Sequence, residues 1–275
     1  MSLMLKLLAT IAILSSVIYA SDENKVEKYL KDSFGSNPNI KSIKVNTTNI
    51  IEIKEHKGWS AYYIEADAIL KQDGRQVVQK MLWFSNGTLI TKELADLNSR
   101  QDISDLVSLP FKNEYYKKEN LIYGNANARH KVVIFSDPLC PFCREFVPTA
   151  LEYMKKDPSK YAVYYYHFPL QSLHPAAVEL VQAAIALELK GVKDVVLNLY
   201  KVKINPKERS NEVILAEFNK VMNSKITMAD LMLPAVTTHF QSDMKIADTL
   251  MVNGTPTMFF NGVVDKTKNR YKEAK

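Results

Sequence analysis

The sequence predicts a small α+β domain built on an antiparallel sheet, then a helical linker, then an α/β domain that carries a helical insertion. Three observations support this. Between Ile40 and Ile90 the apolar residues recur with a period of two, in β-rich runs. From Val132 to Phe135 a continuous apolar run, of the kind buried on both faces of a parallel or mixed sheet, passes directly into a helical pattern. From 174 to 250 helical periodicity continues without a strand signal, and a short hairpin pattern closes the chain. At 275 residues, 47% hydrophobic and 24% charged, with 8 Gly and 11 Pro, the chain has a globular composition and length for one large or two ordinary domains. Low-complexity and collagen-like readings are excluded.

Residues 1–20 read as a secretory signal peptide. Lys6 precedes an apolar run from Leu7 to Ile18, broken by Thr10, Ser15 and Ser16, and Tyr19-Ala20 leads into polar residues. The run is shorter than the roughly 20 apolar residues a membrane-spanning helix needs. Cleavage is expected after Ala20, although Ile18 is bulky where a small residue is preferred. The mature chain is thereby assigned to an oxidising compartment such as a periplasm.

Residues 21–92 form the predicted α+β domain. A helix over 22–34 is expected, with Asp22 as its cap, Val26, Tyr29, Leu30 and Phe34 at helical spacing, and Gly35 as its stop. Strands are expected at Ile43/Val45, Ile51/Ile53, Tyr63–Leu70 and Val77–Phe84. Turns are expected at Asn46–Asn49, His56–Gly58, Lys71–Gly74 and the hairpin signal Asn86-Gly87. Over 93–118 a thin apolar stripe of Leu94, Leu97, Ile103, Leu106 and Val107, ended near Pro110, predicts the helical linker.

The α/β domain occupies 119–275. Its expected order is the Val132–Phe135 strand, a helix carrying Phe146, Val147, Ala150, Leu151 and Met154, a strand from Tyr161 to Phe168, a helical insertion at 171–250, and a hairpin. The insertion includes Ala176–Leu189 and Glu212–Met222, and the hairpin is Thr257–Phe260, Asn261-Gly262 and Val263–Val264.

The charge balance, 36 Lys+Arg against 30 Asp+Glu, gives +6 with the lysines scattered among acids, so nucleic-acid binding is not expected. The two cysteines, Cys140 and Cys143, are too few and too close to staple a secreted domain. They stand at a strand-to-helix junction. There the unpaired backbone N–H groups and the helix dipole favour an anion at Cys140, lowering the pKa of its thiol. Pro141 suits the first helical turn, having no N–H to leave unpaired. Cys143, one turn further in and more buried, is placed to attack a mixed disulfide and release the substrate. Such a pair suits a donor or a shuffler of disulfides.

Other readings of the pair are weaker. Zinc would need two more ligands, yet there is no other cysteine, and His167 and His174 are separated by six residues rather than three to five. No metal and no cofactor are expected. A structural disulfide across so short a loop would restrict the unfolded chain little. Asp137 either tunes the thiol or accepts turn hydrogen bonds, and the turn role is favoured. Arg144 and Glu145 read as solvated first-turn residues, while His167 and His174 read either as imidazoles near the site or as punctuation of strand and helix.

The run Phe135-Ser136-Asp137-Pro138-Leu139-Cys140-Pro141-Phe142-Cys143, the loop Gly254-Thr255-Pro256-Thr257 and the helical block between them resemble the thioredoxin-fold disulfide oxidoreductases of the bacterial periplasm. The resemblance is closest to the DsbC/DsbG branch and looser to DsbA. It covers 120–275 with specific motifs and the N-terminal part by layout alone. The resemblance implies a cis peptide before Pro256, with the Thr255 backbone facing the thiols and pairing with a substrate strand. It implies that Pro141 and Phe142 also meet substrate, that the N-terminal domain dimerises, and that the closing helix of the fold is truncated or missing here. The aromatic Phe142, in place of a histidine, fits the DsbG-like pattern. The implied partners are unfolded or misoxidised exported proteins and a membrane redox protein, either a DsbD-like reductant or a DsbB-like oxidant. Isomerase activity is favoured over dithiol oxidation, and a dimeric holdase chaperone with incidental thiols is the reading from another class.

Overall fold

A computed structural model of the protein describes residues 22–275, so the expected signal peptide at 1–20 lies outside the described residues. The chain divides into two compact units between Val107 and Ser108.

In the first unit a helix, α1, covers 22–35. It packs Val26, Leu30 and Phe34 on a sheet face formed by Val45, Tyr62, Ile64 and Ala66. The antiparallel sheet has the order β1 (Ile40–Glu52), β2 (Ser60–Leu70), β3 (Gln76–Ser85) and β4 (Ile90–Thr91). Two expectations are corrected here. Asp22 is itself helical, with Lys25 Nζ 2.8 Å from its carboxylate, and the helix runs through Gly35. The expected turn at Asn46–Asn49 is extended backbone inside one long strand. Asn46 and Thr47 pair with Glu65 and Ile64, a register shift between Thr47 and Asn49 absorbs the irregularity, and Thr47 N donates to Glu27 Oε1 of α1 at 2.5 Å. Tertiary pairing here overrides the turn preference of Asn and Thr.

The expected helical linker is also corrected, because residues 93–118 contain no α-helix. Asp96 accepts from the backbone N–H of Asn98 and Ser99, Arg100 has φ of 59°, and Asp102 accepts from Ser104 N to start a single 3-10 turn, Ile103–Asp105. Further 3-10 turns lie at Asn113–Tyr115 and Lys118–Asn120. Short acidic side chains that capture nearby N–H groups compete with helical hydrogen bonds. The apolar stripe is not a buried face, since Ile103 and Val107 are buried but Leu97 is 93% exposed.

The second unit is a mixed five-stranded sheet in the order β5-β7-β6-β8-β9. The strands are β5 (Leu121–Gly124), β6 (His130–Ser136), β7 (Tyr161–His167), β8 (Thr257–Phe260) and β9 (Val263–Val264). β6 and β7 are parallel, connected through α2 (Pro141–Lys155), and the remaining pairings are antiparallel. β6 and β7 are buried along nearly their whole length, as the unbroken apolar run demands. β5 has no counterpart in the sequence reading, because four residues carry too little periodicity to detect. α2 buries Cys143, Val147, Ala150, Leu151 and Met154 against Val132, Ile134, Val163 and Tyr165 of the sheet.

Between β7 and β8 lies a helical block: α3 (Ala177–Leu189), α4 (Val195–Leu199), α5 (Asn211–Met222), α6 (Met228–Leu231) and α7 (Pro234–Thr249). Its own core includes Leu180, Ala184, Ile214, Phe218 and Val236. The chain closes in one helical turn, α8 (Arg270–Glu273), whose Tyr271 is buried and whose Tyr271 carbonyl accepts from Tyr161 Oη at 2.6 Å. Among the described residues no helix is long and apolar enough to cross a membrane.

Candidate active site

The chain leaves β6 at Ser136 and turns into α2 within four residues. Cys140 is the N-cap of α2, in extended conformation (φ −66°, ψ 125°), and Pro141 fills the first helical position. The first helical hydrogen bond runs from Arg144 N to Cys140 O at 3.0 Å. The Cys140 thiol donates to Thr255 O at 3.7 Å, and the Thr255–Pro256 peptide is cis. Thus residues more than a hundred positions apart meet at one sulfur. The sulfur thus sits at the N-terminal end of α2, and its hydrogen-bond partner is the Thr255 carbonyl.

Both thiols are buried, Cys143 the more completely. Cys140 is 5% exposed, while Cys143 is completely buried. Burial pushes the Cys143 thiol up to about 12, against the lowering effect of hydrogen bonds from the Ser136 and Thr255 side chains and the Asp137 backbone. Thr255 Oγ1, buried and otherwise unpartnered, faces that sulfur. Between the thiols, Phe142 projects outward and is 73% exposed. It forms one wall of an open groove of about 520 Å³, with Phe146, Thr255, Pro256 and Tyr271 as its apolar lining and Lys268 and Lys272 at its margin.

Asp137 is buried and organises the loop that carries Cys140. Its Oδ1 accepts from Leu139 N (2.7 Å) and Cys140 N (3.2 Å), and its Oδ2 accepts from Leu170 N (2.7 Å) and lies 2.9 Å from His174 Nδ1. Asp137→Ala leaves Leu139 N, Leu170 N and His174 Nδ1 without this acceptor, while Cys140 N keeps its 3.3 Å bond to the backbone carbonyl of position 137. It is expected to lower stability by about 2 kcal/mol in urea denaturation, with Asp137→Asn recovering part of the loss. Equal stability of Asp137→Ala and the parent would contradict this role.

Arg144 is not a solvated residue, as the sequence reading had it. Its guanidinium donates to Pro138 O (3.0 Å), Tyr200 O (2.8 Å) and Val202 O (2.9 Å). Tyr200 is the C-cap of α4, so Arg144 satisfies carbonyls that a helix end leaves unpaired and ties the helical block to the active-site loop. Glu145 is exposed. His167 is buried away from solvent, with Nε2 3.1 Å from Glu188 Oε2 and its backbone N–H donating to Asp243 Oδ2 at 2.9 Å. Among the described residues no group of three or more His, Cys, Asp or Glu is placed to hold a metal ion.

Sequence reasoning missed three hydroxyls under Cys143. Ser136 Oγ lies 2.7 Å from Tyr200 Oη, which lies 2.7 Å from Tyr165 Oη, and all three residues are buried. Ser136 and Tyr165 left a trace, as hydroxyl residues inside otherwise apolar strands. Tyr200 and Arg144 left none, since their partners are set by tertiary packing.

The family model described as Thioredoxin matches residues 116–275. No curated protein matches the chain. Among solved structures it is similar to a thioredoxin-like oxidoreductase from Silicibacter pomeroyi, at 22% identity over 58% of this chain and 96% of that one, with a TM-score of 0.44. It is also similar to BdbD from Bacillus subtilis, at 16% identity over 61% and 92%, with a TM-score of 0.46. A third is the thiol-disulfide exchange protein alpha-DsbA2 from Wolbachia pipientis, at 18% identity over 62% and 90%, with a TM-score of 0.47. With the matched segment covering the sheet, both thiols and the cis proline, the chain belongs to the thioredoxin family.

Proposed function

We propose that the protein exchanges thiols and disulfides with exported protein substrates, in a periplasm-like compartment, and that its main task is to rearrange wrong disulfides. The observation that carries this reading is Cys140 at the start of α2, 3.7 Å from the carbonyl that precedes a cis proline, with a second thiol buried one turn along. The Cys140 thiolate attacks a substrate disulfide. One substrate sulfur leaves as a thiol after taking a proton, and the other stays joined to Cys140. Cys143 then attacks Cys140, the Cys140–Cys143 bond forms, and the substrate sulfur departs with a proton. The substrate disulfide is reduced by two electrons and the protein pair is oxidised by two; rearrangement instead lets a second substrate thiol displace Cys140. The groove beside Phe142 and Pro256 suits an extended segment bearing an apolar residue next to its cysteine.

Rearrangement needs a reduced pair, so trapping of thiols in intact cells should find Cys140 and Cys143 reduced, and the purified protein should restore activity to scrambled ribonuclease. A wholly oxidised pair in cells would assign the protein to disulfide donation instead.

The proposal includes a homodimer formed through the first unit. Supporting it, β3 pairs with β4 only at Phe84 and Ser85, and Val77 and Val78 along the rest of that strand are exposed. A protein lacking 21–107 is expected to sediment as a monomer and to keep dithiol activity, whereas the full mature chain sediments as a dimer. A dimer that survives this deletion would overturn the assignment.

A further inference from the structure

Cys143 has a difficulty that its position creates. It must become an anion to attack Cys140, yet it is fully buried, where water cannot solvate the charge. The neighbours that replace water are therefore the ones that decide how fast the second step runs.

Beside the Thr255 hydroxyl and the Asp137 backbone, those neighbours include an ordered series. Cys143 packs in one buried cluster with Tyr165 and Tyr200, and the Ser136 hydroxyl, at the end of β6, is among the groups that favour its thiolate. Ser136 Oγ is 2.7 Å from Tyr200 Oη, and Tyr200 Oη is 2.7 Å from Tyr165 Oη on β7. Burial raises both tyrosine hydroxyls well above their ordinary range, so each keeps its proton and acts only as a neutral donor or acceptor. A run of hydroxyls can point its protons either way. When Cys143 is a thiol its proton is directed at Ser136, and when it is a thiolate every hydroxyl turns its proton toward the sulfur, each bond polarising the next. The series ends at Tyr165 inside the protein and gives the proton no exit. The Cys143 proton instead leaves with the departing substrate sulfur.

Resting on the exchange reading above, we infer that Tyr165, Tyr200 and Ser136 are a chain of hydrogen-bond donors that stabilises the Cys143 thiolate during release of substrate, with Ser136 in contact with the sulfur and Tyr200 and Tyr165 as positioning residues behind it. The helical block thereby contributes to the chemistry: Arg144, the residue after Cys143, fixes the Tyr200 carbonyl at 2.8 Å and so sets where the Tyr200 hydroxyl lies. The other titratable group facing this sulfur is Cys140 at the N-cap of α2; Asp137 meets it through its backbone, and the Asp137 carboxylate acts on Tyr165.

The test uses the reduced full-length protein and 5,5′-dithiobis(2-nitrobenzoate) in stopped flow. Attack by Cys140 releases one thionitrobenzoate anion and leaves the other on Cys140; attack by Cys143 releases the second. Ser136→Ala is expected to slow the second release about tenfold, Tyr200→Phe several-fold and Tyr165→Phe least, while the first release is unchanged. In Ser136→Ala and Tyr200→Phe the rise of the second rate with pH should move to higher pH, which a purely structural defect would not produce. A misfolded site would slow both releases together, and that result, or a second release equal to the parent's in both Ser136→Ala and Tyr200→Phe, overturns the inference. Failure of the unaltered protein to release two equivalents overturns the exchange reading itself.

Discussion

Replacing Cys140 with serine abolishes reduction of insulin by the protein, a loss on the order of 10³-fold or more, whereas Cys143→Ser keeps the first attack and accumulates protein joined to substrate. The asymmetry follows from burial. Cys140 keeps a small exposed fraction, stands at the helix N-terminus and lies against the carbonyl of Thr255, a residue that lines the groove, so it is the sulfur expected to meet a substrate disulfide. Cys143 is wholly enclosed, and its only route to reaction is the neighbouring sulfur. Insulin turbidity measures the first variant, and non-reducing electrophoresis of the second with a disulfide substrate measures the trapped species. Equal activity of Cys140→Ser and the parent, or trapping by Cys140→Ser rather than Cys143→Ser, would reverse the roles.

The protein is expected to be less stable at pH 8 than at pH 6, by about 2 kcal/mol, because of a buried cluster of Asp243, His167 and Glu188. Asp243 on α7 accepts from Asn120 Nδ2 (2.8 Å) and His167 N (2.9 Å), and His167 faces Glu188. Burial raises the Asp243 carboxyl to about 7, well above its unfolded value, so the folded protein retains a proton that the unfolded chain gives up, and stability falls as pH rises toward and through 7. His167 acts in the same direction: burial works against its cation, Glu188 outweighs burial, and the resulting raised value means stability present below its unfolded range is lost as pH rises through the folded one. His239, lowered by burial and then by His167, has the opposite sign, but only below its unfolded range. Between pH 6 and 8 the first two effects dominate. Asp243→Asn should remove most of the difference in urea midpoint, since it deletes the group that holds the proton. A variant as pH-sensitive as the parent would show that the proton is held elsewhere.

Much of the site was legible because its physics is local. An apolar strand entering a helix at Cys-Pro-Phe-Cys puts one sulfur at a helix end and the next one turn deeper, whatever the rest of the chain does. The cis proline was legible only through resemblance, as nothing in Gly254-Thr255-Pro256 alone places it 3.7 Å from Cys140. Errors came where local chemistry imitated another structure. Leu94, Ile103 and Val107 keep helical spacing, but Asp96 and Asp102 capture the backbone N–H groups that a helix would need. Asn46–Asn49 looks like a turn and is held straight by β2. Arg144 and Tyr200 could not be read at all, because a surface-type residue and an aromatic 56 positions away acquire their roles only when α4 ends above the active-site loop.

Equilibration of the protein across glutathione buffers, followed by acid quench, alkylation and mass measurement, addresses the paired chemistry of the two sulfurs. Cys140 and Cys143 should gain and lose alkylation together, as one two-electron couple with a slope of about 30 mV per tenfold change in the oxidised-to-reduced ratio. Independent titration of the two sulfurs, or a Cys140–glutathione adduct that Cys143 never displaces, would contradict an exchange mechanism at this site.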